Sequence, residues 1–584
     1  MTQKILILNL TRMGDLVQST PLISGLRVKY PDAHISLVVS SDFEEFSHRI
    51  PHVDERIIFN LRQFNELGIN HVVSWVHLYK YFQKFLNNLR EDKYDLVINL
   101  SHSKLSALMV KYLGIKEFRG FMCNPEGDRV THHPWLQYFF IEPFNRLYNS
   151  FNLVDIFTRG GDVEPDLNGI QILTFDQDKD SVKHWEFELK KNNPSVVVGI
   201  QAGASIKGRC WPAAHFAQLA DELIEQMNAR IILFGVDSES QEAKEIVEMM
   251  RRGDEVMNLT GQTSIPQLVG MLNQCDYLVT NDTGTMHIAA ALGVQIVGLF
   301  FAHAHPFETA PYAEGNIIFQ ARIPCAPCSY GVECNDIVCV RNVHPDHVLA
   351  ALLGHRKTGK WSAPDTFSEW TSINIYETRF DDDHFLEVCS LIRRPIQAET
   401  IFLHAYRLLW KTVLRASDLC GAKEGVQKIK SNLLKEFDGS RFEKELPFIV
   451  KIVEKLVRVE TLAVKGNQIS LEIIRQVEKQ QGDQKVLEPL VKSICSIDDE
   501  INLIGMTHPE IKPLTDIFNK RKENFYGEDV KKLAQSTLEC YGMLAEETQL
   551  LRDISGELQL IFSGSPIGEI QTFSSSSSVE VPGR

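Results

Sequence analysis

The sequence predicts an α/β protein in which two tandem parallel-sheet domains precede an all-α region. Short β-branched apolar runs alternate with segments of helical spacing through residues 1–175. After a charged, polar stretch the same alternation resumes over residues 194–355. Beyond residue 355, long amphipathic segments replace the strand-length runs. A chain of 584 residues is also too long for one hydrophobic core, so several domains are expected.

The first domain, residues 1–175, is predicted from apolar runs of strand length at 4–10, 34–40 and 95–100. The segments "STPLISGLRVKY" and "KLSALMVKYLG" accompany these runs with helical spacing. Alternating strands and helices are typical of a parallel sheet with crossover helices.

The second domain, residues 194–355, begins with the strand-like run "SVVVGIQAGAS". A helix is predicted to open at Pro212, and "ARIILFGV", "DYLVTND" and "VQIVGLFF" supply further strands. Two such domains in tandem predict a cleft between them, with ligands at the carboxyl ends of the strands.

Residues 356–565 are predicted to form the helical region, and the serine-rich residues 566–584 a disordered tail. The amphipathic segments carry apolar stripes but no glycine-rich loop and no metal-ligand spacing. We therefore expect an accessory region for acceptor recognition or oligomerisation rather than a second active site.

Charge and hydropathy exclude several classes of protein. A net charge of −15 argues against a nucleic-acid partner. The longest apolar run, 288–302, is broken by Gln295 and is too short to span a bilayer. The first apolar run lacks the features of a secretory leader, so a cytoplasmic location is expected.

Asp15 follows Gly14 in "TRMGDLVQST", between the first strand and an apolar helix. Its carboxylate could cap that helix, or it could face a ligand above the edge of the sheet. Nothing local to the segment decides between the two.

The segment "LVTNDTGTMHIAAALG" predicts an anion-binding helix start. A strand ends at Asn281 and Asp282, and a helix that begins near Gly284 presents free N–H groups. The alternative is that Asp282 or Thr283 simply caps the helix.

The loop "QAGASIKGRCWP" adds two cations, Lys207 and Arg209, at the end of another strand of the same domain. A solvated loop is the alternative for this segment taken alone. Together with the helix start near Gly284, it predicts a diphosphate site, although the sequence carries neither a Walker loop nor a GxGxxG motif.

The motifs "GDLVQSTP", "RCWPAAHF" and "NDTGTMHIAAALG" followed by "VGLF" make residues 1–355 similar to glycosyltransferase family 9, the ADP-heptose lipopolysaccharide heptosyltransferases and their relatives. The resemblance implies a GT-B architecture and an inverting transfer that needs no catalytic cofactor. It implies ADP-heptose as donor and a lipopolysaccharide core, another surface glycan or a protein as acceptor. It also implies peripheral contact with the inner membrane, and the helical region is a candidate for oligomer formation.

The resemblance also assigns site residues. Asp15 is the general base, with Gly14 expected to keep side-chain bulk away from the acceptor. Arg209 stands where the family has a lysine that binds the leaving diphosphate, and Lys207 is a second candidate for that role. The remaining nucleotide-sugar-binding residues are Glu239, Asp282, Thr283, Gly284, Thr285 and His287. For Glu239, the proposed ribose ligand, a carboxylate favoured by the first turn of a helix is the alternative.

Four cysteines, Cys325, Cys328, Cys334 and Cys339, form a C-x2-C-x5-C-x4-C pattern. Four thiolates in one loop can hold a structural Zn or Fe ion, and relatives in the family carry a similar cluster. Labile thiols or disulfides are the alternative. For the whole chain, the alternative to an enzyme is a catalytically inactive GT-B module that acts as a binding or assembly scaffold.

Overall fold

The computed structural model describes residues 3–63, 72–165, 168–204, 206–362, 372–415, 419–479 and 484–563. The predicted tail, 566–584, lies outside the described residues, so the disorder expected for it remains a prediction.

The first domain is built on a five-stranded parallel sheet of order β3-β2-β1-β4-β5. Its central strand β1 is a run of apolar residues because helices cover both faces of the sheet. A two-stranded hairpin, β6 and β7, follows. The strands are β1 Lys4–Asn9, β2 His34–Ser40, β3 Glu55–Phe59, β4 Leu96–Asn99, β5 Glu117–Gly120, β6 Met122–Cys123 and β7 Arg129–Val130. The helices are Met13–Gln18, Thr20–Lys29, Glu44–Ser47, Val72–Glu91, Lys104–Leu113, Pro134–Ile141 and Leu153–Gly160.

The second domain follows two short linking helices, Asp176–Val182 and Glu186–Lys190. Its sheet has eight strands in the order β10-β9-β8-β11-β12-β13-β14-β15, and the first six strands in this order run parallel. The parallel strands are β8 Val196–Gln201, β9 Ala229–Phe234, β10 Val256–Asn258, β11 Tyr277–Asn281, β12 Gln295–Phe300 and β13 Ile317–Ala321. The helices are Ala213–Met227, Ser240–Met249, Ile265–Leu272, Gly284–Ala291, Pro306–Thr309, Cys339–Asn342 and Pro345–Thr358.

The last two strands of this sheet, β14 Ile373–Phe380 and β15 Leu386–Ser390, fall inside the range predicted to be helical. They pair antiparallel with β13 and with each other. Ile373 and Ile375 are fully buried on one face while their neighbours are half-buried, which is the alternation of a strand with one face in the core. The prediction that only helices follow residue 355 is therefore wrong for 373–390.

The predicted helical region is confirmed from Ala398 onward. Its two longest helices lie side by side, and Gly466 packs so closely on Tyr541 that a methyl group there would lie 2.4 Å from the ring. A two-residue parallel pair, β16 Arg394–Pro395 and β17 Phe437–Asp438, joins the segment before the first helix of this region to the segment after its second helix. The helices are Ala398–Leu414, Leu419–Glu436, Leu446–Glu478, Gln484–Thr507, Lys512–Lys522 and Val530–Ser563. None of the helices in the described part of the chain is both long and apolar enough to cross a bilayer.

Buried hydrogen bonds join the helical region to the first domain. The amide nitrogen of Asn524 donates to the carbonyl oxygen of Thr131 at 2.7 Å, and the Thr131 N–H donates back to the Asn524 side chain at 3.0 Å. The Tyr148 hydroxyl donates to Glu510 at 3.0 Å. The helical region is thus packed against the sheet domains rather than tethered to them.

The turn between β14 and β15 meets all three parts of the chain. Phe385 in this turn is fully buried, and the Arg159 guanidinium of the first domain lies 3.4 Å from its ring centroid. The Asp155 carboxylate accepts the Leu386 N–H at 3.1 Å, and Arg407 of the helical region donates to Asp381 at 2.8 Å. Since each of these contacts is buried or half-buried, the turn holds the three parts in one arrangement.

Candidate active site

A cleft of about 1370 Å³ separates the two sheet domains, and the carboxyl ends of their strands open into it. The sequence-predicted residues, which come from distant parts of the chain, meet there. Those that line the cleft are Asp15, Arg209, Glu239, Asp282, Thr283, Gly284, Thr285 and His287. Lys207 lies in the short turn that ends at Arg209, but its side chain is outside the described residues.

Asp15 both supports its helix and faces the cleft. It is the third residue of the helix Met13–Gln18, and its Oδ2 accepts the backbone N–H of Arg12 at 3.1 Å. Burial of the carboxyl raises its pKa above the usual value, although hydrogen bonds from Arg12 and Thr11 oppose the rise. The two alternatives for Asp15 are therefore compatible, because one oxygen can cap the helix while the carboxylate lines the cleft.

Gly14 brings the two domains into contact. A methyl group added at Gly14 would lie 3.1 Å from His287 Cδ2 and 3.4 Å from Gly284 Cα, both in the second domain. A methyl group at Gly284 would in turn lie 3.3 Å from the Gly14 nitrogen. The bare backbone of Gly14 thus lets the helix Gly284–Ala291 approach Asp15. That Gly14, which lines the cleft, keeps bulk away from the acceptor stays a prediction.

Arg209 forms a buried ion pair with Asp282. Arg209 is 6 % exposed and Asp282 is 9 % exposed. Burial, together with the nearby charge of Arg12, lowers the pKa of Arg209 to about 10. The Arg209 Nε is buried and has no hydrogen-bond partner among the described residues.

The helix Gly284–Ala291 starts without a side-chain cap. Thr283 occupies the N-cap position, yet its hydroxyl accepts no hydrogen bond from the described helix and lies 3.3 Å from the Thr280 hydroxyl. The alternative that Thr283 caps this helix is therefore wrong. The positive end of the helix faces the cleft, where it can attract an anion.

Gln201, at the end of β8, links two predicted residues. Its side-chain oxygen accepts the Thr285 hydroxyl at 3.2 Å, and its amide nitrogen donates to Glu239 at 3.0 Å. Glu239 also accepts the Val236 N–H at 3.0 Å, which is the first-turn role considered for it. Its carboxylate packs against Gly203, where a methyl group would lie 2.0 Å from it.

His287 is buried behind the helix start. Burial lowers its pKa to about 4, and the charge of Arg209 acts in the same direction. The imidazole is therefore neutral near pH 7. Its Nδ1 has no hydrogen-bond partner in the described part of the chain.

Sequence reasoning missed three residues of the site. Arg12 is an exposed cation on the cleft wall of the first domain, directly before the motif that contains Asp15. Asn281 accepts the Trp211 N–H at 3.2 Å and donates to the Ala202 carbonyl oxygen at 2.5 Å, so it fixes the Arg209 loop to the end of β11. Gln201 is the third. Each lies within one of the segments that predict the site, but only its surroundings in space reveal its role.

The cysteine cluster also lines the cleft, but its thiols do not form a metal centre. Cys325 and Cys334 are exposed, Cys328 is half-buried and Cys339 is buried, and all four are free. No set of three metal-ligating side chains comes together within the described residues, which include all four cysteines. The prediction of a structural Zn or Fe site is therefore not supported, since ligand spacing in sequence does not make these side chains converge.

The two walls of the cleft are suited to two different chemical roles, proton removal on one wall and anion binding on the other. One wall offers a carboxylate with a raised pKa, and the other offers an uncapped helix start beside a buried guanidinium. Two facing Rossmann-like domains with such a cleft define the class of GT-B proteins.

Comparison with known proteins supports the resemblance that the motifs carry. The model of "Glycosyltransferase family 9 (heptosyltransferase)" matches residues 82–336. The family resemblance inferred from the motifs is thus confirmed. The matched residues end before the helical region.

Curated relatives and a solved structure agree with this. Lipopolysaccharide heptosyltransferase 2 of Escherichia coli is 27% identical over 306 residues, 51% of this chain and 82% of the relative. Lipooligosaccharide heptosyltransferase 2 of Haemophilus influenzae is 25% identical over 328 residues, 54% of this chain and 88% of the relative. The crystal structure of a family 9 glycosyl transferase from Veillonella parvula superposes with a TM-score of 0.50 at 20% identity, covering 60% of this chain and 96% of that one. The predicted GT-B fold is confirmed.

Proposed function

We propose that this chain is an inverting glycosyltransferase that moves heptose from ADP-heptose to a lipopolysaccharide core, another surface glycan or a protein. One observation carries the proposal. Asp15, a carboxylate with a raised pKa, lies on a helix that touches the uncapped start of the helix Gly284–Ala291. The relatives named above are heptosyltransferases, which supports heptose as the sugar.

In this proposal Asp15 removes the proton from an acceptor hydroxyl as its oxygen attacks the anomeric carbon. The bond from that carbon to the diphosphate breaks on the opposite face, and negative charge grows on the departing ADP. The N–H groups at Gly284 and Thr285 and the Arg209 guanidinium stabilise that charge. Such fixed donors would make a catalytic metal ion unnecessary.

The remaining assignments follow the same division between the domains. The first domain would hold the acceptor and the second the nucleotide, with Glu239 at the ribose. His287, being neutral, would donate or accept one hydrogen bond rather than supply charge. Arg209 would exchange Asp282 for the diphosphate when the donor binds.

The test has two stages. ADP should stabilise the protein against heat by about 3 kcal/mol at a hundredfold excess over its dissociation constant, and UDP and GDP should stabilise it less. Transfer from ADP-heptose should then fall roughly 10²- to 10⁴-fold in Asp15→Asn, with ADP affinity unchanged. Asp42→Asn, a carboxylate on the same cleft wall, is the matched control and should lose far less.

The pH profile adds a second readout. Because Asp15 must be ionised to accept a proton, turnover should rise with pH through its raised pKa. A chain that binds ADP yet transfers nothing from any nucleotide sugar would instead be the scaffold considered above.

A further inference from the structure

Three arginine side chains lie close together at one end of the cleft. Arg12 and Arg146 belong to the first domain, and Arg209 belongs to the second. Burial and the charges of Arg12 and Arg146 lower the pKa of Arg209. Burial and the charges of all three arginines lower the pKa of His303, which lines the cleft, to about 4. Positive charge from both domains is therefore concentrated at this end of the cleft.

Two of the three guanidinium groups have a carboxylate partner. Arg209 pairs with Asp282, and Arg146 pairs with Glu308 at 2.8 Å. Arg12 lines the cleft, is exposed, and forms no ion pair within the part of the chain that the structure describes. Arg12 thus carries the positive charge that the described residues leave without a partner.

Arg12 lies where the two domains touch. It directly precedes the helix Met13–Gln18, and its N–H donates to the Asp15 carboxylate at 3.1 Å. In the same helix, a methyl group at Gly14 would lie 3.4 Å from the Cα of Gly284, at the uncapped helix start of the second domain. Arg12 is therefore next to the proposed base and also close to the proposed anion site.

A diphosphate fits the space that these groups surround. In an inverting displacement the base and the leaving group lie on opposite sides of one carbon atom. A long side chain that starts beside Asp15 can therefore extend past that carbon to the phosphate bonded to the sugar. The planar guanidinium of arginine can bind two phosphate oxygens at once. Such a ligand would also remove the repulsion between Arg12 and Arg209.

We propose that Arg12 is a catalytic residue that binds the departing diphosphate from the first domain, at the phosphate bonded to the sugar. The inference rests on the proposed function and adds a contact to it. As the bond from the anomeric carbon to the phosphate oxygen breaks, its electron pair stays on that oxygen. Arg12 donates hydrogen bonds to this phosphate, while the acceptor proton moves to Asp15.

Binding of ADP, AMP and inorganic pyrophosphate to the full chain, measured by calorimetry, tests the contact without any transfer step. Arg12→Met should weaken binding of ADP and of pyrophosphate roughly 10- to 100-fold. Binding of AMP should change far less, because AMP lacks the phosphate next to the sugar. Arg12→Lys keeps the charge and should restore part of the affinity for ADP.

Arg90→Met is the matched control. Arg90 is exposed on the same domain, but it lies near the end of the helix Val72–Glu91 that leads into β4, at the sheet edge opposite the cleft. This variant should bind ADP, AMP and pyrophosphate like the unmodified chain. Arg12→Met should unfold at the unmodified temperature, because Arg12 is exposed and forms no ion pair with a described residue.

Turnover distinguishes a contact with the leaving group from a contact with the acceptor. The variants are compared with saturating ADP-heptose at a pH where turnover no longer rises, so that Asp15 is ionised in each of them. Arg12→Met should lower kcat roughly 100-fold and leave the KM for the acceptor unchanged.

Two outcomes would overturn the inference and leave the proposed function intact. One is that Arg12→Met binds ADP and pyrophosphate as tightly as the unmodified chain. The other is that only the KM for the acceptor changes, which would assign Arg12 to an acidic acceptor instead. An unmodified chain that binds neither ADP nor pyrophosphate would contradict both the inference and the proposed function.

Discussion

The buried pair of Arg209 and Asp282 makes a quantitative prediction for Arg209→Met. Both side chains are almost completely buried, so methionine would leave the Asp282 carboxylate without its cation. Removal of one partner from a buried pair typically costs about 3 to 5 kcal/mol. For a domain of this size that corresponds to a fall of roughly 6 to 20 °C in the unfolding temperature.

The double variant Arg209→Met/Asp282→Asn tests whether the unpaired Asp282 carboxylate causes the loss of stability. It removes both charges, and a pair replaced by neutral groups of similar volume is often close to neutral in stability. Most of the lost unfolding temperature should therefore return in the double variant. Differential scanning calorimetry of the unmodified chain, both single variants and the double variant completes the cycle.

Ligand binding by the same variants distinguishes a structural role of Arg209 from a role in binding the diphosphate. If Arg209 exchanges Asp282 for the diphosphate, Arg209→Met should lose ADP affinity while adenosine affinity stays the same. Arg209→Lys keeps the charge and should therefore lose less stability and less ADP affinity than Arg209→Met. An Arg209→Met protein that unfolds at the unmodified temperature, or a double variant no more stable than the single one, would refute the reasoning.

Four further predictions follow from individual contacts. Gly14→Ala should lower turnover more than stability, because its methyl group would press on His287 at 3.1 Å and move the two domains apart; equal turnover would contradict this. Burial raises the pKa of Glu436 from 4.5 to about 7, so the folded chain should lose about 3 kcal/mol of stability as pH rises from 4.5 to 7, and urea titrations should find this loss absent in Glu436→Gln. Cys325→Ser should change neither the unfolding temperature nor the Zn and Fe content measured by elemental analysis. A chain cut after Gly354 should fail to fold stably, because it lacks β14, β15 and the helices packed on the first domain; a soluble, ADP-binding fragment would show otherwise.

Seven parallel strands could be predicted because each is a short, mostly buried apolar run: β1, β2, β4, β8, β9, β11 and β12. The other four were not predicted, and β3, β5 and β10 among them are short and partly exposed. Nor could the strand β14 be predicted, because its sequence INIYETRF is half-buried and alternates. Its strand identity depends on pairing with β13, from which it is separated by a long helix. A strand with only one buried face is specified by its neighbours in the sheet more than by its own composition.

Sequence patterns single out most of the residues that meet in the cleft one by one, but they do not predict their arrangement. Asp15, Arg209 and Asp282 each lie at the end of a strand, where parallel-sheet topology places ligand-binding groups. The pairing of Arg209 with Asp282 joins residues 73 positions apart. Gly14 meets Gly284 across two domains, and no local pattern encodes such a contact. The metal prediction failed for the same reason, since the spacing of cysteines does not fix their directions.

The turn around Phe385 has a consequence for attempts to engineer donor or acceptor preference. If each half of the cleft binds one substrate, as proposed above, exchange of one sheet domain for that of a relative would give a hybrid transferase. The turn between β14 and β15 belongs to the second domain, but it is held by Asp155 and Arg159 of the first domain and by Arg407 of the helical region. A graft that ends at the apparent border near residue 175 would separate Asp155 and Arg159 from the turn that they contact. A productive hybrid would have to inherit the turn, the helix Leu153–Gly160 and the helix Ala398–Leu414 from a single parent.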